Sequence, residues 1–119
     1  MTAPLSVLIV EDEPLIAMML EDYIDGLGHR VAATIDSVPQ ALEQAQAGGF
    51  DVAILDVQLR GGEASWPVAD ALAEKGIAFL IATGGLVDPP PARHAGAPQL
   101  AKPFTLDGVR AALEAARDR

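Results

Sequence analysis

Residues 51–59 read Asp-Val-Ala-Ile-Leu-Asp-Val-Gln-Leu, with four consecutive aliphatic residues, Val52 to Leu55, held between two acids. A strand points successive side chains to opposite faces, so an unbroken apolar strand needs both faces covered. The sheet that contains it must therefore lie between layers of helices. The run stops at Asp56, and the polar, glycine-rich Arg60-Gly61-Gly62-Glu63 follows. Such a strand delivers a carboxylate to one edge of the sheet. Its meaning depends on what the neighbouring strands bring to that edge.

The rest of the chain supplies the covering pieces. Leu5 to Val10 is a short β-branched run ending in Glu11-Asp12-Glu13-Pro14, and Pro14 suits the first turn of a helix. Leu15, Ile16, Met19, Leu20, Tyr23, Ile24 and Leu27 then recur at helical spacing, with Glu21, Asp22 and Asp25 on the other face, as far as Gly28. Arg30 to Ile35 reads as a second strand, less apolar and nearer a sheet edge. Ser37, Pro39 and Gln40 open a helix over 38–47, which Gly48-Gly49 ends. After the third strand, Ser65 is a candidate cap for a helix with Pro67 in its first turn and Val68 and Leu72 on its buried face. Ile77 to Ala82 forms a fourth strand, leading into Thr83-Gly84-Gly85. Asp88-Pro89-Pro90-Pro91 bars a helix interior, so 84–98 has room for at most a helical turn near 92–95. Gln99 to Ala101 is a last short strand. Lys102-Pro103 breaks it, and Thr105 caps a final helix with Leu106, Val109 and Leu113 on its buried side.

Strand–helix alternation with short connections implies a parallel sheet covered on both faces. Right-handed crossovers leave one favoured α/β topology. This is a five-stranded doubly wound sheet of order 2-1-3-4-5, a flavodoxin-like arrangement, with the helix between strands 4 and 5 reduced or absent. Its site lies at the carboxyl ends of the strands, beside the switch between strands 1 and 3.

That edge collects Glu11 and Asp12 from strand 1, Asp56 from strand 3, Thr83 from strand 4 and Lys102 from strand 5. Crowded carboxylates repel and need a cation, and all-oxygen ligation with retained waters suits Mg²⁺. Asp56 can then act as a carboxylate nucleophile toward phosphorus, with Thr83 and Lys102 offering a hydroxyl and an ammonium to phosphoryl oxygens. Two other readings of the architecture are weaker. A flavin phosphate would meet the acidic loop after strand 1, and an aspartyl-phosphate hydrolase would need a second acid in Asp56-Val57-Gln58. Seventeen acids against eight bases, a net charge of −9, disfavour nucleic acid and anionic membrane surfaces. The absence of cysteine removes thiol chemistry and disulfides. No apolar run approaches the about 18 residues of a membrane span. The expectation is a single cytoplasmic domain over residues 1–119.

These motifs, taken in order, resemble the receiver domains of two-component response regulators. Val7-Leu8-Ile9-Val10-Glu11-Asp12-Glu13-Pro14, the strand ending at Asp56, Ala82-Thr83-Gly84 and Lys102-Pro103-Phe104 carry the resemblance. It implies that Asp56 is the phosphoacceptor and that Glu11 and Asp12 form the acidic Mg²⁺ pocket with Asp56, the backbone carbonyl of Gln58 being a further ligand. It implies that Thr83 and Lys102 are the switch hydroxyl and the site lysine, with a cis Lys102–Pro103 bond. The donor is then a phosphohistidine on a sensor histidine kinase or phosphotransfer protein. The chain would signal through protein contacts with an unknown downstream protein or act as a phosphate sink, and it would not be an enzyme beyond its own phosphorylation and dephosphorylation. The alternative is a receiver-like interaction scaffold that is never phosphorylated. Receivers of this kind carry an aromatic residue or His three residues before the lysine. Gln99 stands there instead, so segment 84–98 is the expected carrier of the conformational change. The short, proline-rich 84–98 and the run Gly62 to Leu72 resemble the single-domain subgroup nicknamed FATGUY, although Ile81 and Gly85-Leu86 replace its aromatics. His29 and His94 are expected to be solvated, and Trp66 is expected to serve packing or a partner.

Overall fold

The Val52–Leu55 run is the middle of a sheet. The computed structural model describes residues 4–57, 59, 64–83 and 90–117. Five parallel strands, β1 (Ser6–Val10), β2 (Arg30–Ile35), β3 (Val52–Asp56), β4 (Ala78–Thr83) and β5 (Gln99–Ala101), lie in the order β2-β1-β3-β4-β5. Four α-helices accompany them among the described residues: α1 (Pro14–Gly26), α2 (Val38–Ala47), α3 (Trp66–Glu74) and α4 (Leu106–Arg117). The expected topology is therefore observed. Between β4 and β5 the described residues hold only a 3-10 turn, Ala92–His94. Residues 84–89 of the expected switch segment lie outside the described residues.

Side-chain alternation divides the interior in two. Leu8, Val10, Ala53, Leu55, Phe79 and Ile81 face α2 and α3, while Val7, Ile9, Val52, Ile54, Leu80 and Leu100 face α1 and α4. Large residues of both layers, such as Leu72 under α3 and Leu20 and Ile24 under α1, are fully buried. Each such side chain contributes about 1.5–3 kcal/mol through area removed from water. The β1–β3 register runs from Val7 opposite Val52 to Val10 opposite Leu55. Glu11 and Asp56 therefore leave the sheet side by side.

The helix ends show which local signals were sufficient. Ser37 is extended (φ −144°, ψ 155°), and its hydroxyl accepts from the Gln40 N–H at 3.4 Å. The Thr105 hydroxyl accepts from the Gly108 N–H at 3.0 Å. Gly48 closes α2 at φ 68°, a left-handed conformation that glycine adopts without steric penalty. Ser65 departs from expectation. Its backbone is near-helical (φ −88°, ψ 6°) rather than extended, so its hydroxyl makes no cap bond. That oxygen is buried without a partner, while the Ser65 N–H donates to the Val57 carbonyl at 2.9 Å.

Two burial expectations are corrected. Leu106, assigned to the buried side of the last helix, is 43% exposed, and Leu15 and Met19 of the α1 stripe are 76% and 39% exposed. These residues lie on or near the first turns of α1 and α4. The buried face of α1 is set by Ala17, Leu20 and Ile24, and at about 100° per residue Leu15 and Met19 fall well off it, so the apolar stripe read from the sequence is wider than the face that the sheet covers. His94 errs the other way. It is buried, stacked on Trp66 at 6.1 Å between centroids and meeting the Phe79 ring edge-on at 5.5 Å. Its Nε2 donates to Asp70 Oδ1 at 2.6 Å. Arg93 also holds that carboxylate, through Nε at 2.7 Å and a terminal nitrogen at 3.1 Å. This fastens the connection between β4 and β5 onto α3. His29 is half-buried, and its Nδ1 accepts from the Leu5 N–H at 2.9 Å. Burial, with Arg117 next in importance, lowers its pKa below the usual histidine value.

Hydrogen bonds from Arg93 and then His94 hold the Asp70 carboxyl below the usual carboxylate range. A depressed carboxylate contributes stability above its unfolded pKa of about 3.9 and loses it as pH falls through the folded value. Asp70→Ala leaves the buried His94 nitrogen unpaired and should cost about 1–3 kcal/mol at neutral pH. Urea unfolding of both proteins measures this. The gap should narrow once the pH drops below the ordinary aspartate range, and a gap independent of pH would contradict the assignment.

Candidate functional site

At the carboxyl ends of β1 and β3 the chain brings three acids together. One carboxylate oxygen each from Glu11, Asp12 and Asp56 lies within 4.8 Å of the others. Lys102, just past β5, reaches across β4 to them. Its Nζ is 3.4 Å from Asp56 Oδ2 and 3.3 Å from Glu11 Oε1. The Lys102 side chain is 23% exposed and that of Asp56 12%, whereas Glu11 is almost wholly buried. The backbone aims the lysine: its N–H donates to the Thr83 carbonyl at 2.8 Å, and the Lys102–Pro103 bond is cis, as expected. Thr83 ends β4, where Ala82 is the register partner of Asp56 and Thr83 itself pairs with Ala101. Gln58 lies outside the described residues. Gln99 is exposed on β5 opposite Ile81.

Glu11 is the most constrained of these groups. Its Oε2 accepts from the Glu13 N–H at 3.1 Å, in front of α1. Its Oε1 is buried and makes no aligned hydrogen bond, although the Lys102 ammonium is near. Burial is the largest influence on this carboxyl and pushes its pKa up to about 7. The Glu13 N–H opposes the rise, and the Asp56 carboxylate adds to it. An orphaned buried oxygen among three carboxylates fits a hard divalent cation, because oxygen donors of this kind suit Mg²⁺. Glu11, Asp12 and Asp56 are the residues that would hold it.

The sequence reading did not single out two further features. Leu15, Met18 and Met19 of α1 and Leu106 of α4 are exposed. Both helices begin at the sheet end that carries the site, and both pack on the same sheet face. These residues form an apolar rim on the two helices that start at the site's end of the sheet. The second feature is Tyr23, whose hydroxyl donates to the Phe104 carbonyl at 3.3 Å. Helical spacing identified Tyr23 only as a member of the apolar stripe.

A doubly wound sheet with three acids and a lysine at its carboxyl edge defines a class, and comparison with known proteins names it. The model of the response regulator receiver domain matches residues 7–114, and the chain belongs to that family. Over its whole length it is similar to SdrG from Sphingomonas melonis Fr1, whose solution structure superposes with a TM-score of 0.87 at 54% identity, covering 98% of each chain. The BeF3-activated conformation of SdrG, attributed to Pseudomonas melonis Fr1, superposes at 0.82 with 54% identity, covering 98% of this chain and 99% of that one. The phyllosphere-induced regulator PhyR of Methylorubrum extorquens is 44% identical over 57 residues, 47% of this chain but only 21% of that longer protein. Among the described residues, no helix is long and apolar enough to cross a membrane.

The raised Glu11 pKa has a sign that can be checked. A carboxyl that is protonated more readily in the fold than in the unfolded chain stabilises the fold at low pH and loses that contribution as pH rises. In chelator-treated protein, stability should fall by on the order of 2 kcal/mol between pH values near 4.5 and near 7. Glu11→Gln should flatten that part of a urea-unfolding series. An unchanged slope in the variant would exclude Glu11 as its source.

Proposed function

We propose that this receiver is a phosphorylation-switched signalling module that takes a phosphoryl group from a phosphohistidine onto Asp56. The observation that carries this reading is the Lys102 ammonium, 3.4 Å from Asp56 and 3.3 Å from Glu11, inside the acid cluster. An Asp56 oxygen attacks phosphorus in line with the leaving nitrogen. The O–P bond forms as the P–N bond breaks, and the electron pair of that bond returns to the imidazole. Asp56 becomes an acyl phosphate. Mg²⁺, held by Glu11, Asp12 and Asp56 with the Gln58 carbonyl, would offset the negative charge of the phosphoryl oxygens. Lys102 moves from the Asp56 carboxylate to a phosphoryl oxygen, and the Thr83 hydroxyl donates to another. Phosphoryl transfer needs positioning and charge neutralisation above all, and these groups supply both.

The donor is a sensor histidine kinase or phosphotransfer protein of the cytoplasm. The apolar rim of Leu15, Met18, Met19 and Leu106 suits the side of a helical donor that must bring its histidine over Asp56. The added phosphoryl carries nearly two negative charges at neutral pH. That charge recruits Lys102 and Thr83 and alters the surface that a downstream protein reads. The chain turns over no substrate of its own beyond forming and hydrolysing the Asp56 acyl phosphate. The BeF3-activated form of the similar SdrG supports this reading, because fluoroberyllate on a carboxylate mimics an acyl phosphate.

Intact-protein mass spectrometry after treatment with Mg²⁺ and a small acyl phosphate tests it. The wild type should gain one phosphoryl group and Asp56→Asn none. Uptake that survives in Asp56→Asn, or none in the wild type, would favour an interaction scaffold. A second measurement addresses the rim. Leu15→Asp combined with Met18→Asp should slow transfer from the cognate kinase by about tenfold or more, as loss of buried apolar anchors does. Uptake from the small donor should stay within about twofold.

A further inference from the structure

The phosphoryl chemistry above leaves the hydroxyl of Tyr23 unused. Tyr23 lies late in α1, half-buried, with its ring packed on the apolar layer shared by α1 and α4. Its hydroxyl donates to the carbonyl of Phe104, 81 residues away in the chain. Phe104 directly follows the cis Lys102–Pro103 bond, and its ring is buried in the same layer. Lys102 Nζ lies 5.9 Å from the centroid of that ring.

The two ends of this contact belong to the two halves of the site. Helix α1 starts at Pro14, immediately after the loop that carries Glu11 and Asp12. Phe104 stands two residues beyond Lys102. The hydroxyl therefore ties the helix that follows the carboxylates to the loop that carries the ammonium. Lysine is a point charge on a flexible four-carbon stem. It can stand between two carboxylates reproducibly only if its own backbone is fixed. Strand β5 has three residues, and the bond from the Lys102 N–H to the Thr83 carbonyl fixes only the entry to the loop. The Phe104 carbonyl is the anchor on its far side.

We propose that Tyr23 is a positioning residue for Lys102: its bond to the Phe104 carbonyl sets where the ammonium stands between Glu11 and Asp56. The effect on phosphorylation rests on the phosphoacceptor reading of Asp56, whereas the effect on the lysine does not. The roles of Glu11, Asp12 and Asp56 are otherwise unchanged by it.

Tyr23→Phe keeps the ring and removes the hydroxyl. The first measurement needs no phosphoryl chemistry. Lys75 and Lys102 are the two lysines of the chain, so acetylation by a small active ester can be followed at Lys102 with exposed Lys75 as internal reference. In metal-free protein the Lys102-to-Lys75 ratio should rise about three- to tenfold in Tyr23→Phe, the range that loss of one hydrogen bond allows. An unchanged ratio overturns the proposal. The second measurement is beryllofluoride affinity in the presence of Mg²⁺. Tyr23→Phe should weaken it by a similar factor, and that loss should vanish in a Lys102→Ala background. Equal losses in both backgrounds would mean that the hydroxyl does not act through Lys102, and would overturn the proposal as well. If the wild type binds no beryllofluoride, the phosphoacceptor reading fails, and the acetylation ratio still decides the role of Tyr23.

Discussion

The site depends on one electrostatic balance: three carboxylates held together at the edge of a buried sheet, with a single ammonium among them. Bringing Glu11, Asp12 and Asp56 within 4.8 Å of one another costs free energy that only nearby positive charge can offset. Lys102 supplies part of it from the far side of β4. Burial pushes the Glu11 carboxyl up and the Asp56 carboxylate adds to the rise, so the ionised form of Glu11 is disfavoured there despite the nearby ammonium. A site left short of positive charge in this way suits a divalent cation, and on the function proposed above the same neutralisation would favour an incoming phosphoryl group. The fold supports this state through the rigidity of its layers. Strands β1 and β3, buried on both faces, fix the carboxylates, and the bond from the Lys102 N–H to the Thr83 carbonyl holds the backbone of the lysine.

The geometry of the loops explains the rest. Asp56 is the last residue of β3, and Glu11 and Asp12 directly follow β1, so strand register sets where they stand. Val10 opposite Leu55 sets Glu11 beside Asp56. Asp56 opposite Ala82 sets Thr83 one step beyond. On the other sheet face, the 3-10 turn between β4 and β5 is held by Asp70, Arg93 and the stacked His94. The chain has no aromatic residue at position 99 to link Thr83 to β5, and Gln99 points to solvent. The buried aromatic group of this region is instead His94, on the connection that precedes β5.

Much of this was legible in the sequence. The apolar runs and the alternation with helical periods identified all five strands and their order, because parallel sheets impose continuous burial and right-handed crossovers. The residues that meet at the strand ends were legible for the same reason: topology, once known, determines which termini converge. What sequence missed depends on which apolar positions the sheet covers and on side-chain partners. Leu106 and Leu15 belong to the apolar stripes read from the sequence but are exposed, Leu15 because it lies opposite the face of Ala17, Leu20 and Ile24. Ser65 has the chemistry of a cap without the backbone conformation. His94 sits in a proline-rich stretch that looks solvated, and its burial follows from a distant carboxylate and two rings that no local pattern reveals. Tyr23 shares an apolar stripe, and its hydroxyl bond spans most of the chain.

The division of the interior into two separate layers has a consequence for how such a protein can diversify. The apolar rim, Leu15, Met18, Met19 and Leu106, grows from helices packed on one layer, while Asp70, His94, Trp66 and Phe79 are packed on the other. Among the described residues the two sets belong to helices and turns that pack on opposite faces of the sheet. On the reading of the rim proposed above, substitutions that change which donor is accepted could accumulate on one side without disturbing the arrangement on the other. A duplicated copy could acquire a new upstream input while keeping its remaining surface intact. The sheet would then act as an insulator between paralogous signalling lines as well as a scaffold for one.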